Sequence, residues 1–206
     1  LLSAIDPFVL GNKGSALIHE MLHNLGARFN GRPRHIPAAL DRNGTVVHAL
    51  LSGTYAGGSM DEVMARDYLA GRYWGAMDSN EEGFWNFETM NLKGEQKDCA
   101  VYLSFWLFSP RSLVNLLLEP NMPRLDLEFA ADDKLAVYVN GNLLDNAVKR
   151  QDNPALPQRI EGIPLEKGWN HVLLKVGQLW GGWNGRFRFT ATDPAYMRQL
   201  ESVIMQ

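Results

Sequence analysis

The chain has 206 residues, 46% hydrophobic and 21% charged, with a net charge of −3. This suits one sizeable domain with at most a small appendage, and excludes nucleic acid as an obvious partner. No apolar run approaches the ~20 residues of a membrane-crossing helix, and the single Cys99 excludes an internal disulfide framework and a cysteine-only zinc site. No basic-then-apolar leader opens the chain, which starts at Leu1, so it reads as a processed protein or a piece of a longer one.

Residues 1–44 read as helical and connecting. Ser15 can cap a helix that stops at Gly26 or Gly31, before Pro33 and Pro37 interrupt it. Residues 36–40 allow one more short turn. From Thr45 the texture changes: "TVVHALLSGTY" is β-branched and bounded by glycine, the mark of a strand. "SMDEVMARDYL" has Ser59 with Glu62 three residues on, which predicts a short capped helix. "DCAVYLSFWLF" is a long strand ended by Ser109-Pro110; "SLVNLLLE" and "RLDLEFA" flank Pro120 and Pro123. "LAVYVNGNLL" is a hairpin, because Asn140-Gly141 supplies the positive φ values of a type I′ turn. "QRIEGIPL", "NHVLLKVGQL" and the strictly alternating "GRFRFTAT" follow. In the first of the last two, Leu173, Leu174 and Val176 read as core and Lys175 as the outward position. Asp193, Pro194 and an apolar stripe of Tyr196, Leu200, Val203 and Ile204 predict a C-terminal helix over 193–206. So many short strands with turns between them argue a mainly β fold, a β-sandwich or jelly roll over 45–192.

The loudest motif lies in the first segment. His19-Glu20-x-x-His23 places two imidazoles on one helix face, where both reach one zinc ion, with Glu20 as the base that activates bound water. The segment resembles the zincin motif, and Gly26 extends it as in metzincins. That family's third histidine is replaced by Phe29. Glu62 and His35 are further candidates for the third ligand, fixed by nothing in the spacing. The alternative is an amphipathic helix, with Leu17, Ile18, Met21, Leu22 and Leu25 on one side and the histidines opposite.

A second resemblance covers more of the chain. "LLSGTYAGG" with "DYLAG", "AVYLSFWLFSP", "ADDKLAVYVNGNLL" and "LEKGWNHVLLKVGQLWGGWNGRFRF" occur in that order over 45–192. Together they resemble a galactose-binding-like β-sandwich, an accessory carbohydrate-binding module of secreted bacterial polysaccharide-degrading enzymes. Thr54-Tyr55 departs from that module's Pro-Phe turn. The resemblance implies a jelly roll, a glycan or polysaccharide ligand, a neighbouring catalytic domain, an extracellular or periplasmic location, and Trp169 as a buried corner. Residues 1–44 fall outside it, as an extension or the tail of a preceding domain.

Sugar recognition needs an aromatic face for the ring and convergent polar groups for its hydroxyls. "QLWGGWNGR" offers Trp180 and Trp183 among glycines, with Asn184 and Arg186 beside them. On a loop the two tryptophans form a stacking platform; folded back, they are a lid over the sandwich end. "YWGAMDSNEEGFWNFE" offers Trp74 and Trp85 with Asp78 and Glu82. Asp132-Asp133 either stabilises a turn or holds calcium together with sugar hydroxyls, as in some PA14-type lectins that its hairpin resembles. The reading is therefore a noncatalytic carbohydrate-binding or interdomain module. The alternatives are a zinc metallopeptidase fragment and a purely structural sandwich.

Overall fold

The computed structural model describes residues 38–56, 74–90, 92, 98–114, 122–144, 149–150, 157–179 and 181–204. In chain order these residues form β1 (His48–Ser52), β2 (Tyr55–Ala56), β3 (Trp74–Asp78), β4 (Phe84–Asn86), β5 (Cys99–Ser109), β6 (Leu125–Asp132) and β7 (Lys134–Val139). They continue with β8 (Asn142–Leu143), β9 (Lys149–Arg150), β10 (Gln158–Ile160), β11 (Gly168–Gln178), β12 (Asn184–Ala191), a one-turn helix α1 (Pro194–Met197) and β13 (Glu201–Val203). Every pairing is antiparallel. One sheet has the strand order β3-β1-β5-β11-β7-β8, with β13 and β2 also on β5 and β9 on β7; the other has the order β10-β6-β12-β4.

The two sheets enclose one core. Val101, Leu103, Phe105 and Leu107 of β5, Val172, Leu174 and Val176 of β11, and Leu135, Val137 and Val139 of β7 supply one wall. Leu125, Leu127, Phe129 and Ala131 of β6, with Phe187 and Phe189 of β12, supply the other. Ala39 is buried in the same core, and Leu40 bridges to Val46, so the packed unit includes residues ahead of Thr45. The Asn140-Gly141 hairpin forms as its residues require, with φ of 50° and 81°. Asn140 Oδ1 also accepts the backbone N–H of His171 at 2.9 Å, tying the turn to β11.

Two expectations are corrected here. Lys175 does face away from the inter-sheet core but is not in solvent: β11 is buried on both faces, and Lys175, 5% exposed, stands with its ammonium over the Tyr102 ring. Leu173 shares that outer side, packed with Tyr102, Ala136 and Tyr138. The C-terminal segment is helical only over α1, where Asp193 caps as anticipated, its carboxylate accepting the Ala195 N–H at 2.8 Å. Residues Glu201–Val203 then pair with Trp106–Phe108 of β5, because an open strand edge offers backbone partners that a free helix end lacks.

Candidate functional site

The outward residues of the four-stranded sheet follow from its alternation. Inward positions of β6 and β12 are large and apolar; the outward ones are Asp126, Glu128, Ala130 and Asp132 on β6, and Asn184, Arg186, Arg188 and Thr190 on β12. Trp85 faces the core, which turns Phe84 and Asn86 of β4 outward. Register stacks these side chains in rows. Asn86, Asn184 and Asp132 are aligned across three neighbouring strands. Phe84, Arg186 and Ala130 form the next row, and Arg188 lies against Glu128 in the row after. At about 4.8 Å between strands, the first row spans roughly 10 Å.

The face is divided into two halves. At one end Asp126, its side chain 3% exposed, accepts from Arg124 Nε at 2.9 Å and from the Gly162 N–H at 3.0 Å, with Arg159 Nη1 3.7 Å away. Arg159 also binds Glu128 at 2.5 Å, and Arg124 lies 3.3 Å from Glu161. At the other end Asn86, Asn184 and Arg186 have no side-chain hydrogen bond or ion pair among the described residues. Phe84, half-buried beside Arg186, adds an apolar surface.

Asp132 closes the open end. Its carboxyl is held above the usual carboxylate range, first by partial burial, then by the charge of Asp133 and a hydrogen bond to it, and last by the charge of Glu88. Asp133 is itself anchored, with its Oδ2 accepting the Leu179 N–H at 2.6 Å. Leu179 and Gly182 therefore abut the acidic pair. Gln178 donates to the Gly181 carbonyl at 3.0 Å.

The tryptophans are where sequence reasoning is corrected. Trp183 is fully buried, packed on Phe87 with ring centroids 5.4 Å apart, and its indole Nε1 has no hydrogen-bond partner among the described residues. Trp85 is equally buried and donates to the Val46 carbonyl at 2.9 Å. Neither can stack on a ligand at the surface; both are core residues. Trp180 lies outside the described residues, as does the side chain of Trp74 at the start of β3. Asp78 is exposed and bonded to His48 at 2.6 Å, and Glu82 is exposed in a turn. Asn184, Arg186 and Asp132 do come together. Asn86, Phe84 and Glu88 join them unannounced, since only the register of β4 on β12 brings them near.

His19, Glu20, His23, His35 and Glu62 lie outside the described residues. Among the described residues no three His, Cys, Asp or Glu side chains gather as a metal site, and no helix is long and apolar enough to cross a membrane.

No family model matches the chain, and no curated protein matches it in sequence. Solved structures similar to it include the following three. The β-glucosidase from Kluyveromyces marxianus, in complex with glucose, aligns at 13% identity and a TM-score of 0.37, over 73% of this chain and 16% of the enzyme. The epithelial adhesin 9 A domain from Candida glabrata, in complex with Galb1-3GlcNAc, aligns at 11% identity and a TM-score of 0.40, over 82% of this chain and 94% of that domain. A family 35 carbohydrate binding module from an environmental isolate aligns at 15% identity and a TM-score of 0.34, over 64% of this chain and 89% of that module. Similarity at this level assigns neither a family nor a ligand; what stands is a mainly β chain with two antiparallel sheets.

Proposed function

We propose that the chain is a noncatalytic glycan-binding module, with its contact surface on the open half of the four-stranded sheet. The observation that carries this is the row Asn86–Asn184–Asp132, three polar side chains in register on an outward face, with Arg186 and Phe84 in the next row. Amides, a carboxylate and a guanidinium supply both donors and acceptors for hydroxyls, and Phe84 offers an apolar edge to a ring. The finer reading is a galactose-binding-like jelly roll, joined in a longer extracellular or periplasmic protein to a catalytic domain that acts on polysaccharide.

Calcium belongs to this proposal as a second component. Asp132 and Asp133 are hard oxygen donors, and the crowding of like charge at Asp132 is what a bound cation would relieve. Two carboxylates do not fill a calcium shell, so amide, backbone and ligand oxygens would have to complete it.

The test is a glycan array followed by titration of the best binder, with thermal melting of each variant. Asn184→Ala and Arg186→Ala should weaken binding several-fold and leave Tm unchanged. A wild-type chain that retains no glycan, or variants that bind as wild type does, would sink the assignment. Binding that survives a calcium chelator undiminished removes calcium from it.

A further inference from the structure

The last glycines before β12 differ in a way that points into the site. Gly181 has a φ of 90°, and a Cβ built on it meets nothing within 4 Å. Gly182 has no left-handed φ, so no backbone conformation reserves the position for glycine. A Cβ there would instead stand 3.2 Å from Asp132 Oδ2 and 3.5 Å from Asn184 Nδ2. What the absence of a side chain at 182 preserves is a notch, flanked by one acceptor and one donor.

We infer that this notch seats a hydroxyl of a neutral sugar, held between Asp132 and Asn184, with Gly182 as the specificity-determining residue. The inference rests on the glycan-binding reading and narrows it. A hydroxyl both donates and accepts, so it satisfies Asp132 Oδ2 and Asn184 Nδ2 at once. A carboxylate or sulfate only accepts, and would face Asp132, Asp133 and Glu88, the acids already crowding one another here. An amide nitrogen or ammonium only donates and leaves Asn184 Nδ2 unmatched. The ligand class is therefore a neutral glycan presenting a free hydroxyl to the 182 notch. Arg186, a row away, addresses a more distant part of the same ligand.

The experiment uses an array of neutral oligosaccharides with gluco-, galacto- and manno-configured termini beside oligogalacturonides, then calorimetric titration of the best neutral binder. Wild type should prefer the neutral set. Gly182→Ala should lose at least tenfold in affinity with little change in Tm, because the methyl fills the notch without backbone strain and the Asp132 carboxylate need give by only a few tenths of an ångström. Gly181→Ala should do the reverse, lowering Tm while its folded fraction keeps the affinity. Asn184→Ala should lose affinity as Gly182→Ala does, and decides the matter if Gly182→Ala fails to fold. Full affinity in Gly182→Ala, or a preference for oligogalacturonides, overturns the inference while glycan binding stands; full affinity in Asn184→Ala overturns the inference and the placement of the site together. A wild-type chain that binds no glycan on either set overturns both.

Discussion

On the outer side of the nine-stranded sheet, Tyr102, His171, Leu173 and Lys175 are buried; on the outer side of the four-stranded sheet, Asn86, Arg186 and Arg188 are exposed. The same alternation of side chains produced both faces. The first is aromatic and apolar enough to be covered, and polar members are paired inside it, as where Ser104 Oγ lies 2.8 Å from His171 Nε2, although the Tyr138 hydroxyl has no hydrogen-bond partner among the described residues. The second carries charges that remain in water. Within that second face the contrast repeats on a single strand. Asp126 is ringed by cations and backbone donors, while Asp132, six residues on, has acids for neighbours. An outward polar residue that is fully matched holds the fold together; one that is unmatched is available to a ligand.

The largest test of this division is Asp126→Ala. It strands the Gly162 N–H beside a buried position and removes the anion between two half-exposed guanidinium groups that keep Glu161 and Glu128, and should cost on the order of 3 kcal/mol in urea unfolding. A loss below about 1 kcal/mol would erase the distinction between the two halves of the face.

The covered face is tested by acid. Burial lowers the His171 pKa from 6.5 to about 4, so the folded chain keeps this imidazole neutral where the unfolded chain takes up a proton. Its contribution to stability is complete above pH 6.5 and is lost as pH falls toward 4, a total on the order of 3 kcal/mol. Urea unfolding at pH 7 and pH 4.5 should show most of it, and His171→Gln should flatten the slope. An unchanged slope in that variant would place the acid sensitivity elsewhere.

Asp132 should act with the opposite sign and more weakly. Its raised pKa means the folded state holds a proton that the unfolded state has released, so stability falls as pH rises above the ordinary aspartate range. Asp132→Asn should therefore stabilise the chain at pH 7, by less than about 1 kcal/mol, and remove that part of the pH dependence. Destabilisation by this change would mean that the carboxylate is structurally matched after all. The smallest effects belong to Asn86→Ala and Phe84→Ser. Their stabilities should differ little from wild type, within about 0.5 kcal/mol for the exposed Asn86, while glycan retention falls.

The long strands were legible because burial on the core side leaves a pattern. The runs at β5, β6, β11 and β12 and the turn at Asn140-Gly141 announced themselves. Lys175 misled, because alternation marks an outward residue only where one face of the sheet meets water. Trp183 misled for a related reason. Its glycine neighbours argue a loop, and a loop residue reaches the core when the chain crosses directly over the end of the sandwich. Asn184, Arg186 and Asp132 were found through their residue types. Asn86 was not, since its place beside them is a matter of strand register between segments far apart in sequence, and nothing local encodes that.

One contact described above bears on how the chain folds in time. β13 lies on β5, and the Leu40 N–H donates to Ser202 Oγ at 2.9 Å across a sequence separation of 162 residues. β5 thus waits for β11 on one edge and, over Trp106–Phe108 of the other, for β13, while the rest of that second edge takes β1 and β2, which are made earlier. A nascent chain has to expose this apolar strand until residues 201–203 have been made. Contacts this distant put closure in the slow class of β-sandwich folding, on the order of milliseconds to seconds, with the β5 edges open to mispairing throughout.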